Sequence, residues 1–341
     1  MIFLIIILGF LFGAILQYAK LNKFNTISGV ATLDDLTVAK AIAVAIGVGA
    51  ILLNIEIGLG LAVYHVKPFI LGGIILGGLI FGVGMAILGY CPGTLAVSLG
   101  EGSTDALLGI IGGLFGGLVY TLVLPSIQGI LGPNLGNISI YSLTGGNSIL
   151  FYVLVFILGA VFIGIAFGVH KIEKRPTKNM KWLGAGIALA VLNIIVFASG
   201  VTNRPIGAST TYPYLADWLT GATGNSYFEK IQTPGHWELL FLFGALLSGL
   251  IFSLIRKDFK IQLIHENWVK YRGTSVPSRT IWSFVGGFIL IFGARMAGGC
   301  TSGHVISGGM QLAVSSLVFA VFVFAGLLLT GRFFYGRPKQ S

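Results

Sequence analysis

Nine stretches of the chain are apolar over close to the length a helix needs to cross a bilayer, about 20 residues. They fall near residues 2–19, 39–57, 69–88, 105–124, 149–168, 182–199, 237–255, 281–298 and 311–330. Two polar, glycine-rich segments break this scheme: YCPGTLAVSLGEGS between the third and fourth stretches, and GCTSGHVISGG between the eighth and ninth. The pattern predicts an all-α polytopic membrane protein, about nine transmembrane helices plus short membrane-embedded helices, forming a single integral domain over 1–341. Composition excludes the soluble alternative, because a chain that is 55% hydrophobic and 9% charged cannot hide that much apolar surface in one water-soluble core. The opening run MIFLIIILGFLFGAILQYAK lacks a basic leader and a small-residue cleavage site, so it reads as the first span rather than a removable signal peptide.

The formal charge of +10 gathers in a few loops: KIEKRPTK after the fifth span, RKDFK through KYR after the seventh, and RFFYGRPK after the ninth. The positive-inside rule places these in the cytoplasm, with the N-terminus outside and the C-terminus inside. The charge thus speaks to topology and anionic headgroups, not to nucleic acid. This count also puts the polar stretch 200–236 outside, with Lys67 and Arg204 as minority basic residues on that face. The segments FGVGMAILGYCPGT (81–94) and FGARMAGGCTSGH (292–304) share a Phe-Gly start, a Met-Ala pair, a Gly-rich step, a cysteine and a helix-starting cluster. They are reached by spans running in opposite directions. Residues 1–124 and 182–330 therefore read as inverted-topology repeats joined by a linking helix at 149–168, an architecture common among transporters. Gly73 and Gly77, and Gly109, Gly113 and Gly117, have the small-xxx-small spacing that lets helix backbones approach.

Cys91 and Cys300 are the two cysteines of the chain. They form no CxxC pair and have no zinc-ligand spacing, so no metal or cofactor is expected, and a disulfide between them is the weaker reading. Pro92 suits the first turn of a helix, where its missing N–H is no loss. Thr301 and Ser302 are capping residues, and Gly303 lets the chain turn. Each cysteine thus sits beside a helix start inside the membrane, where free N–H groups and the positive end of the helix dipole favour an anion. Gly93, Thr94, Thr301, Ser302 and Gly303 are candidate donors, and Arg295 adds a full positive charge near membrane depth. His304 is a candidate donor or titrating group. The thiols are expected as neutral S–H groups, weak donors to a passing anion. The acids Glu56, Glu238, Glu101 and Asp105 are expected to be solvated at span ends.

GYCPGT and GARMAGGCTSGHVISGG resemble the YeeE/YedE membrane family of thiosulfate transporters, and the likeness spans nearly the whole chain. The resemblance implies an inverted-repeat helix bundle in a bacterial inner membrane. It also implies that thiosulfate passes between the thiols of Cys91 and Cys300 by S–H hydrogen bonds along an hourglass-shaped path, and that a cytoplasmic TusA-like sulfur carrier is a partner. Family members usually carry a further cysteine after the first span, where this chain has Asn25 in KLNKFNTISG. Either the relay lacks one member or the cargo is another small anion, and members linked to selenium widen that choice. A non-enzymatic permease is the leading expectation. The alternatives are a membrane sulfurtransferase, which would need a low-pKa cysteine and a base such as His304, and a passive channel or structural subunit.

Overall fold

The computed structural model describes residues 1–145, 147–173 and 179–336. Its α-helices in chain order are α1 (Ile2–Tyr18), α2 (Phe24–Thr32), α3 (Thr37–Gly58), α4 (Leu71–Leu88), α5 (Pro92–Gly100), α6 (Thr104–Leu131), α7 (Ile140–Leu143), α8 (Ser148–Ile172), α9 (Lys181–Phe197), α10 (Thr211–Thr220), α11 (Ser226–Ile255), α12 (Glu266–Arg272), α13 (Val276–Met296) and α14 (Val314–Thr330). A π-helical segment, Thr301–Gly308, lies between α13 and α14. Each of the nine predicted spans is a helix. Among the described residues seven apolar helical segments are long enough to cross a membrane, and α1 and α9 are apolar helices of 17 residues each. The protein is an all-α, multi-pass membrane protein.

Helix α1 packs on α11, α3 on α8 and α9, α4 on α13 and α14, and α6 on α13 and α10. Small residues permit these approaches. Gly73 and Gly77 of α4 meet the backbone of Met296 and Gly293, while Gly113 and Gly117 of α6 meet Tyr212 and Pro213. A methyl group at any of them would collide with a neighbour, so the glycine spacing reflects packing.

One end of the bundle collects most of the ion pairs: Lys23–Glu101, Lys40–Glu173, Lys270–Asp34 and Arg279–Asp105. The loops predicted to carry the excess basic charge emerge at this end, called here the basic face, although residues 174–178 and 337–341 of those loops lie outside the described residues. At the opposite end, Phe69 pairs with Gly136, His65 with Gln311, and Ile140 with Leu312.

Two sequence expectations are corrected by burial. The stretch 200–236 does not lie wholly outside the bundle, because Ile206, Ala208, Ser209, Thr210, Thr211 and Tyr212 are buried within it. The physical reason is Glu238, whose carboxylate accepts the N–H groups of Thr210 and Thr211 at 2.6 and 3.3 Å. It thereby satisfies the free donors at the start of α10 and allows that helix to begin inside the protein. Glu238 is accordingly no solvated span-end charge, being 5% exposed. Asp105 is fully buried as well and is paired with Arg279 at 2.5 Å. Glu101 accepts from Gln17, Asn22 and Lys23 at the basic face.

Candidate anion site at two helix starts

The turn LGYCPGT ends one helix and starts another. Gly89, with φ +77°, closes α4 in the left-handed conformation, and a side chain there would strike the ring of Phe24. Cys91 is extended and caps α5, Pro92 takes the first helical position, and Thr94 closes a capping box. The Thr94 hydroxyl accepts from the Cys91 N–H at 2.8 Å and donates to its carbonyl at 3.0 Å. That hydroxyl therefore sets the cap. Gly93 lies against Phe12, midway along α1, whereas Glu101 at the far end of α5 reaches Gln17 near the end of α1. Helix α5 thus runs from the interior to the basic face with Cys91 at its deep end.

The second motif approaches from the other side. After α13, Gly298 turns with φ +74° and Cys300 caps the π-helical segment, which leads outward to Gln311 beside His65. Such wide turns are uncommon and recur at functional sites. Thr301 lines a small interior cavity with Met85, Val323 and Leu327, partway down α4 and α14. Thr301 and Cys300 are among the electrostatic neighbours of the Cys91 thiol. Two helix starts therefore meet in the interior from opposite faces, each carrying a cysteine at its cap. Both cysteines are free thiols, so the disulfide reading falls. The Cys300 sulfur is 3.2 Å from the Ser302 hydroxyl.

Cationic groups surround the pair. Arg295, 7% exposed, donates from Nε to the Tyr227 hydroxyl at 2.7 Å, and from a terminal nitrogen to Ser209 and Thr210 at 3.3 and 3.2 Å. All these acceptors are neutral, and among the described residues Arg295 is in no ion pair. Lys67 donates to the Gly298 carbonyl at 2.6 Å and counts Arg295, Cys300, Glu238 and Arg204 among its electrostatic neighbours. Arg204 stacks on Trp237 at 4.6 Å with its Nε buried and unpartnered. One carboxylate, Glu238, thus faces the three cations Lys67, Arg204 and Arg295. Tyr212 donates to the Pro92 carbonyl at 3.2 Å, and the two cysteines are its electrostatic neighbours.

Other predicted residues take different places. His304 donates from Nε2 to the Ala297 carbonyl at 2.8 Å, which leaves Nδ1 to accept from Ser316 at 2.9 Å. Both nitrogens are committed to holding the turn before Cys300. Asn25 bonds Asn267 and Glu266 of α12 at the basic face. Lys67 and Arg204 stand out in the sequence only as minority basic residues of the outer face, and Tyr212 and Tyr227 not at all. The signal that could have found Arg204 and Tyr212 is the run NRPIGASTTYP (203–213), a polar, small-residue break of the same character as the two cysteine motifs.

Fold and site define a polytopic membrane protein whose interior gathers more cationic groups than carboxylates, together with hydrogen-bond donors, around two helix starts. The chain belongs to the sulphur transport family, whose model matches residues 23–329. It is 28% identical over 339 residues to the thiosulfate transporter TsuA of Spirochaeta thermophila, with 94% of this chain and 95% of that protein aligned. It is 26% identical over 306 residues to the thiosulfate transporter TsuA of Escherichia coli, with 83% of this chain and 80% of that protein aligned.

Proposed function

We propose that the protein is an inner-membrane permease that carries thiosulfate or a related sulfur oxyanion inward, with Cys91 and Cys300 as relay sites. The observation that carries this reading is the meeting of two cysteine-capped helix starts in the same interior as Arg295, a buried guanidinium bonded to neutral hydroxyls and, among the described residues, in no ion pair. Backbone N–H groups of Gly93 and of Thr301–Gly303, in the first turns of the two helix starts, favour an oxyanion. The thiols and the Ser302 hydroxyl add contacts suited to a sulfur-bearing end. The names of the two curated relatives support thiosulfate as the cargo.

The helix pairings support a pseudo-two-fold arrangement of inverted repeats, 1–124 and 182–330. The contact of α1 with α11 has its counterpart in α9 with α3, and that of α6 with α13 in α14 with α4. The basic face is cytoplasmic in this reading, and a TusA-like carrier would receive the anion there, near Asn25. Permease function is favoured over sulfur transfer because the nearest candidate base, His304, has both ring nitrogens engaged.

The test is thiosulfate-dependent growth of cells lacking other sulfate and thiosulfate importers. Wild-type protein is expected to restore growth, and Cys91→Ala or Cys300→Ala at matched membrane levels is expected to lower uptake at least about tenfold, the effect of about 1.4 kcal/mol. Serine variants should keep part of the activity, since a hydroxyl also donates. Complete loss with serine, together with a persulfide on either cysteine by mass spectrometry, would replace the permease with a sulfurtransferase.

A further inference from the structure

Besides Glu238, three other carboxyl groups are buried among the described residues: Asp105, Glu173 and Asp217. Asp105 and Glu173 are paired with Arg279 and Lys40, and Glu238 caps α10. Asp217 has no such partner. It is fully buried on α10 and in no ion pair, one oxygen accepts from the Thr121 hydroxyl at 2.9 Å, and the other has no hydrogen-bond partner. A buried carboxylate without a counter-ion is costly, and the cost falls when it takes up a proton. The titratable group facing it is Tyr227 on α11, whose ring meets that of Tyr120 on α6 edge to face. Tyr227 is an electrostatic neighbour of Asp217 and accepts the hydrogen bond from Arg295 on α13. Glu238 on α11 caps the start of the same helix.

We propose that Asp217 binds one proton together with the anion and releases it when the anion leaves toward the basic face, so that transport is proton-linked. This rests on the permease reading above. Thiosulfate is a dianion, and an inside-negative membrane potential opposes its inward movement once for each charge. One accompanying proton halves the charge moved and lets an inward proton gradient favour uptake. The linkage has a physical route. An anion beside Arg295 adds negative charge near Tyr227 and Asp217, which raises the proton affinity of the carboxyl, and a neutral Asp217 in turn repels the anion less. Aspartate 217 touches none of the groups placed around the cysteines, so it acts on binding through charge alone.

The experiment uses the full chain in proteoliposomes with radiolabelled thiosulfate. Two modes are compared: counterflow at equal pH, and uptake driven by an acidic exterior. Wild-type protein should perform counterflow and take up several-fold more label with the exterior acidic. Asp217→Asn should keep counterflow and lose the response to the pH gradient, and Asp217→Glu should recover it. Thr121→Val removes a hydroxyl that stabilises the carboxylate, so the pH midpoint of wild-type-like uptake should move upward. This variant carries the test if Asp217→Asn does not fold. An unchanged gradient response in Asp217→Asn, an unmoved midpoint in Thr121→Val, or a wild type that performs counterflow without responding to pH overturns the inference. A well-folded wild type without counterflow overturns the permease reading, and the proton linkage with it.

Discussion

Arg295→Gln is expected to lower kcat/KM for thiosulfate uptake about 30-fold or more, with the protein still folded and correctly inserted. Truncating one member of a buried, hydrogen-bonded charge contact costs about 2–5 kcal/mol, and the lower figure already corresponds to that factor. The native acceptors of Arg295 are the hydroxyls of Tyr227, Ser209 and Thr210. Each of them can be satisfied by a neutral amide, so the bundle loses little when the charge is removed. The anion loses its strongest electrostatic contact. Arg295→Lys should fall between the two, because an ammonium keeps the charge but cannot span Tyr227 on one side and Ser209 with Thr210 on the other as the planar fork does. Initial rates across a thiosulfate concentration series check this. A kcat/KM within twofold of wild type for Arg295→Gln would remove the guanidinium from the path.

The second large effect is on stability, at Arg279. Its guanidinium pairs with Asp105, donates to the carbonyls of Ile87 and Leu88 at 3.2 and 2.8 Å, and lies over Phe24 and Trp268 at 4.4 and 4.7 Å. It therefore neutralises a buried carboxylate and satisfies the free carbonyls at the end of α4, the turn that sets up Cys91. Arg279→Met leaves the buried Asp105 with only His265, 3.2 Å away, and the Tyr90 hydroxyl to offset its charge, and is expected to cost about 3–5 kcal/mol. Asp105→Asn in the same chain should recover part of that loss, since the strain comes from the uncompensated charge. Thermal unfolding in detergent of the two single variants and the double variant measures the coupling. Additive losses would show that the pair does not act as a unit.

Arg279 and Arg295 also illustrate what could be read from the chain. Arg295 stands inside the eighth apolar segment and is marked by its charge near membrane depth, five residues before Cys300. Arg279 precedes that segment's expected start, and nothing in the sequence pattern marks it. Helix α13 begins at Val276, which carries Arg279 into the bundle against Asp105. Span ends are set by the partners a charge finds, and hydropathy along one segment contains no partner. Glu238 was misplaced for the same reason. Its role depends on Thr210 and Thr211, which an apolar-run analysis assigns to an outer loop.

The amino-acid sequence by itself determined the class of fold, the placing of the apolar helices, the two cysteine turns and their matching motifs. These follow from local physics: about 20 apolar residues span lipid, and a proline or a capping residue after a cysteine starts a helix. Only the tertiary structure decided that the two helix starts meet, that the segment around 206–217 folds inward beside them, and that Lys67, Arg204 and Arg295 share a single carboxylate. Hydropathy reports the environment of each segment. Which polar groups face one another depends on helix rotation and on backbone folded back into the bundle, and those are settled by packing between segments far apart in the chain.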